Sequence, residues 1–166
     1  KQELTEVATK LNAMVTTSWA GRGAMSETHD LMMPMVHIEA NNNVRNDADV
    51  VLILGSRVGE TDWWGKAPYW NAQQTVIQVD LEPGILGANK PAELLVQADI
   101  KSFLAQLLLE LESDVAPSMD THREQLIQKH LATKKAHRKK LDEHLADKNV
   151  PMNPAQIPHY AQKAFP

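Results

Sequence analysis

Asp49-Val50-Val51-Leu52-Ile53-Leu54-Gly55-Ser56-Arg57 is the stretch around which this chain is organised. A short apolar run rich in β-branched residues and closed by a glycine reads as a strand buried on both faces. In open α/β sheets the loop at the carboxyl end of such a strand is where ligands bind. Gly55 allows close backbone approach, and Arg57 can meet a phosphate or carboxylate in bidentate fashion. The plainer alternative is a buried strand whose arginine pairs with Glu60 or Asp62.

Upstream, Leu4, Val7, Ala8 and Leu11 share one helical face, and Asn12 closes that helix. Ala13 to Thr17 follows as a short strand, and Ser18-Trp19-Ala20-Gly21-Arg22-Gly23 is a glycine-bearing loop at its carboxyl end. That loop is either a second phosphate cradle or a tight turn without a ligand. Leu31-Met32-Met33-Pro34-Met35-Val36 is apolar and broken by proline, which suits core packing. Residues Ile38 to Asn46 form a helix leading into the central strand.

Downstream, Lys66 to Asn71 is aromatic and irregular around Pro68. Thr75-Val76-Ile77-Gln78-Val79-Asp80 is another buried strand ending in an acid. An acid placed there holds a ribose hydroxyl in dinucleotide sites, or else it caps the turn Leu81-Glu82-Pro83-Gly84. Glu93 to Asp99 gives one more strand, and Asp99 caps an apolar helix over Ile100–Leu111. Alternation of strands and helices argues for a mostly parallel α/β sheet with helices on both faces.

The character changes after that helix. Glu112 to Ser118 reads as a linker, and Met119 to Asp147 as a long basic helix. Its thin stripe of Leu126, Leu131, Leu141 and Leu145 suggests a solvated connector. His130, His137 and His144 share a face of it, but successive ones lie about 10 Å apart by helix rise, too far to ligate one metal. Asn149 to Pro154 breaks the helix, and a further one begins at Ala155. An unclosed element at each end suggests a piece cut from a longer protein.

Composition narrows the function classes. The 166 residues carry a net charge of −4, so no basic field argues for nucleic acid, and no aromatics interleave with the basic helix. There is no cysteine, which removes thiol catalysis, disulfides and thiolate metal sites. No apolar run approaches the roughly 18 residues needed to span a bilayer, and the first ten residues are not a signal peptide. A cytoplasmic location is the expectation.

Taken in order, these pieces resemble the middle domain of thiamine diphosphate-dependent enzymes of the acetolactate synthase and oxalyl-CoA decarboxylase type. The resemblance runs through Thr16-Thr17…Gly21-Arg22-Gly23…His29, Ala48 to Arg57, and Val76 to Pro83. It continues through Leu86-Gly87-Ala88-Asn89-Lys90-Pro91 to Val96-Gln97-Ala98-Asp99. It implies residues 1–112 as a nucleotide-binding-like central domain, a Rossmann-like sheet of about six strands with its first strand missing. A helical linker over 113–150 and the start of a diphosphate-binding domain over 151–166 would follow.

By matching position, Thr17, Gly21, Gly23, Gly55, Arg57, Asp80 and Asp99 inherit the candidate nucleotide contacts. The resemblance implies FAD or ADP held structurally in this domain, or a CoA nucleotide, and no catalytic residue within it. Thiamine diphosphate and Mg2+ would sit on the outer domains, in a full-length homo-oligomer that decarboxylates a 2-keto acid. The Gly-x-x-Gly spacing that lines the flavin in acetolactate synthases falls here on Pro34 and His37. That departure leaves room for a scaffold domain that has lost its nucleotide.

Overall fold

A computed structural model describes residues 1–113 and 121–165. The first helix, α1 (Gln2–Leu11), buries Val7 and Ala8 and ends on Asn12 in the left-handed conformation that asparagine tolerates. Helix α2 (Ile38–Asn46) leads into β1 (Val50–Leu54), as the sequence indicates. Strands β2 (Thr75–Asp80) and β3 (Leu94–Gln97) follow, and then α3 (Ile100–Ser113), α4 (Thr121–Ala146) and α5 (Gln156–Ala164). The linker read over Glu112–Ser118 lies mostly outside the described residues.

The three strands form one parallel sheet in the order β1-β2-β3. Val51 is level with Val76 and Ile53 with Gln78, so these four side chains stand on one face. Trp70 and Val58 cover that face together with Ile53 and Val76. Central β2 is the most buried strand, with Val76 and Val79 closed off on opposite faces. Strand β1 differs from expectation: Val50 is exposed and only Ile53 is buried, because among the described residues β1 has a strand neighbour on one side alone.

The strand expected over 13–17 reduces to a single parallel bridge between Val15 and Met32. Val15 N–H donates to Leu31 O, and Met33 N–H donates to Val15 O. The ladder stops there because the partner segment turns away after Met33, where His37 N–H donates back to Pro34 O at 3.1 Å. Met32 and Met33 are fully buried, as expected of the apolar run. Among the described residues the sheet therefore has three strands, with the Val15–Met32 bridge separate from it, fewer strands than the resemblance implies.

Helix α4 departs most from its sequence reading. Its first half is docked: Ile127 packs with Ala8, Met25, Leu31 and Met32, with Leu131 alongside. Lys129 Nζ reaches Asp47 Oδ2 at 2.7 Å, and Arg123 donates to the carbonyl of Leu11. The Lys129–Asp47 pair is largely exposed, so it contributes at most about 1 kcal/mol. The apolar contact carries the docking. The docking continues to His137, which stacks on His37, whereas Leu141 beyond it is exposed. Among the described residues no helix is long and apolar enough to cross a membrane.

Candidate functional site

Parallel pairing brings the carboxyl ends of β1, β2 and β3 to one edge of the sheet. Gly55 N–H donates to Val79 O at 2.9 Å and Ala98 N–H to Asp80 O at 3.1 Å, so three strand exits are laced together. Gly55, Arg57, Asp80 and Asp99 meet at this edge.

Gly55 has φ +60, and a Cβ there would lie 2.5 Å from Ile100 Cδ1. Glycine is needed for the turn and for the seat of Ile100 at the start of α3, so the space over Gly55 is taken by protein. Arg57 is exposed. The proposed pairing with Asp62 is not formed, because Asp62 Oδ1 accepts from Arg45 Nη1 at 3.1 Å. Among the described residues no carboxylate lies within ion-pair distance of the Arg57 guanidinium.

Two residues that pattern reading passed over hold the Arg57 loop in place. Gln78, fully buried, donates from Nε2 to Ser56 O at 3.0 Å and accepts from Gly87 N–H at 2.7 Å. Asn89 Nδ2 donates to Arg57 O at 2.8 Å. A polar residue in the middle of an otherwise apolar strand is the signal that could have found Gln78. A buried amide is kept only where both its ends are bonded.

Both acids are engaged with backbone. Asp80 Oδ1 accepts from Glu82 N–H at 2.9 Å, the turn-capping alternative. Asp99 Oδ1 accepts from Ser102 N–H and Oγ, each at 2.9 Å, and so caps α3 as expected. The Ser102 backbone N–H, then its hydroxyl, holds the Asp99 carboxyl below the usual carboxylate range.

Thr17, Gly21 and Gly23 belong to a different segment, which follows the Val15–Met32 bridge and not one of the three strands. Gly21 N–H closes a tight turn on Ser18, to its carbonyl and to Oγ at 3.1 Å, as the ligand-free alternative has it. Gly23, at φ +83, lines an open cleft of about 1010 Å3 against α1, beside Lys1, Arg22 and Glu27. None of the other six sequence-selected residues lines that cleft. Thr17 Oγ1 is a buried hydroxyl without a hydrogen-bond partner among the described residues. Pro34 and His37 shape the start of α2: Asn41 Nδ2 donates to both carbonyls, at 2.7 and 3.0 Å.

A three-stranded parallel sheet accompanied by helices defines a Rossmann-like α/β domain. More particularly, residues 1–107 match the family described as thiamine pyrophosphate enzyme, central domain, and the chain belongs to it. It is 28% identical over 115 residues to an acetolactate synthase large subunit from Cyanidium caldarium, covering 68% of this chain and 20% of the relative. Acetolactate synthase isozyme 1 large subunit of Escherichia coli K12 is 27% identical, covering 71% of this chain and 21% of the relative. Oxalyl-CoA decarboxylase of the same organism is 29% identical, covering 65% and 20%. The chain thus spans about one fifth of the length of these relatives.

Proposed function

We propose that the chain is the central domain of a thiamine diphosphate-dependent 2-keto acid lyase or carboligase, acetolactate synthase-like. In this reading the carboxyl edge of the sheet holds a nucleotide cofactor structurally. One observation carries it: an exposed arginine without an acidic partner among the described residues sits on a loop whose carbonyls are tied down by Gln78 and Asn89. Fixing the loop beforehand lowers the ordering cost of binding an anion.

Arg57 would pair with a nucleotide phosphate, and Asp80, with Oδ1 committed to Glu82, would offer its other oxygen to a ribose hydroxyl. The donors fit such a group. Thr17, Gly21, Gly23 and Asp99 are weaker candidates, since the first three lie in a separate loop and Asp99 already caps α3. ADP is favoured over FAD, because His37, at a position where the resemblance places a flavin-lining glycine, is occupied in a ring stack with His137.

A bound thiamine diphosphate would supply the ylid that attacks the keto acid, with Mg2+ holding its diphosphate, both on outer domains. The residues of this chain then bind and orient, and the piece is inactive by itself. The oxalyl-CoA-type decarboxylase reading differs only in the parent substrate. A scaffold domain that has lost its nucleotide is the contrasting reading.

Thermal melting with millimolar ADP, FAD or CoA separates these. Binding to the folded state alone raises the midpoint. ADP is expected to raise it, and Arg57→Ala to abolish the rise while leaving the unliganded midpoint in place. No shift with any of the three supports the scaffold.

A further inference from the structure

The interface between α2 and α4 is built from histidines. His37, at the N-terminus of α2, stacks on His137 of α4 with ring centroids 4.0 Å apart and planes inclined by 20°. Two helical turns further up α4, His130 is buried, and its Nε2 lies 3.2 Å from Asp47 Oδ2 at the end of α2 but out of hydrogen-bond alignment. Asp47 is already engaged by Lys129. Lys134 Nζ donates to the carbonyl of His29 at 2.5 Å. At its far end α4 is tied to α5, because Gln156 Nε2 donates to the carbonyls of His144 and Leu145, each at 3.1 Å. Release of α4 would therefore move α5 with it.

We propose that the His37–His137 stack, seconded by buried His130, is a proton-sensitive latch that holds α4 on the domain at neutral pH and releases it in mild acid. Two neutral imidazoles can stack. Two imidazolium rings at this separation repel, and a cation at the His130 site is buried with its nearest acid already shared.

The facing charges oppose one another. Glu27 favours a proton on His37, and Asp47 favours one on His130. Burial and the facing His137 disfavour the first, and burial and Lys129 the second. The net direction is downward from the ordinary histidine value of 6.5 for both His37 and His130, with burial the leading cause. A lowered value in the docked form means that the released form takes up more protons. Docking is therefore complete above pH 6.5 and is lost as pH falls below it.

Each proton taken up on release shifts the opening equilibrium about tenfold per pH unit within that window. Amide hydrogen exchange on the whole chain at about pH 7.5 and about pH 5, corrected for the intrinsic rate, reads this out. The α4 amides are expected to open at least about tenfold more readily at the lower pH, with β2 amides unchanged. The variants His37→Phe and His137→Phe keep a ring in the stack without its proton, and each is expected to shrink that ratio. A smaller wild-type ratio, joint loss of β2 protection, or an undiminished ratio in both variants overturns the latch. If neither variant folds, the ring-proton titrations of His37 and His137 in the unaltered chain decide. Coupled titration with His37 below the ordinary value supports it, and independent titration of both at the ordinary value overturns it.

Discussion

Replacing Asp62 by alanine would leave the Arg45 guanidinium buried without its counter-charge. Both side chains are about nine-tenths buried, 3.1 Å apart. At an effective dielectric of about 20 their attraction is about 5 kcal/mol. Burial nevertheless pushes Asp62 up and Arg45 down from their ordinary values, against the pair's own attraction. Desolvation therefore outweighs the attraction, and the pair is a poor net stabiliser whose breakage is still costly.

Asp62→Ala is expected to cost about 3 kcal/mol, the low end of the range for such breakage. The low end applies because Arg45 keeps Asn42 and lies 5.0 Å over the Trp70 ring. For a chain of this size that is a fall in Tm of about 6–12 °C. The double replacement Arg45→Met with Asp62→Leu should return to within about 1 kcal/mol of the parent. Urea unfolding followed by far-UV circular dichroism measures both. A loss below about 1 kcal/mol for Asp62→Ala, or a double variant as unstable as the two singles summed, would refute the reasoning.

Gly55→Ala places a Cβ at φ +60 and 2.5 Å from Ile100 Cδ1, and is expected to lose about 2 kcal/mol in the same assay. Pairing it with Ile100→Val, which removes that atom, should recover part of the loss, since the two sites share one contact. Gln78→Leu orphans Gly87 N–H and Ser56 O, with an expected cost of about 2 kcal/mol and faster exchange at the Gly87 amide. Glu93 is held below its usual 4.5 by accepting from Val76 N–H at 2.5 Å. Its contribution is complete above pH 4.5 and is lost as pH falls through the lowered value, so Glu93→Gln should flatten the acid limb of the stability profile.

Local signals were legible where the physics is local. The apolar runs of β1 and β2, the helix over 38–46, the Asn12 stop and the Asp99 cap depend on residues a few positions apart, and each forms where the residues indicate. The ordered set of strands and loops also carried the family. What pattern could not show was competition for partners. Asp62 faces two arginines in sequence, Arg45 and Arg57, and only packing under Trp70 assigns it to Arg45, leaving Arg57 without an acidic partner among the described residues. The Val15 ladder fails because its partner segment turns away after Met33, with His37 N–H donating to Pro34 O, a fact of pairing rather than propensity.

Helix α4 makes the same division most plainly. Its periodicity indicates a leucine stripe, yet Ile127 and His130 are what it buries, and Leu141 stays exposed. A helix's buried face is chosen by the surface it meets, here Ala8, Leu31 and Met32 from segments more than ninety residues away. The sequence by itself determined a parallel α/β domain, its family and the edge where strand exits gather, because periodicity and turn chemistry are properties of contiguous residues. Which arginine is free, which glycine is filled by Ile100, and which histidines meet were decided only by tertiary structure, since long-range contacts assign each group its partner.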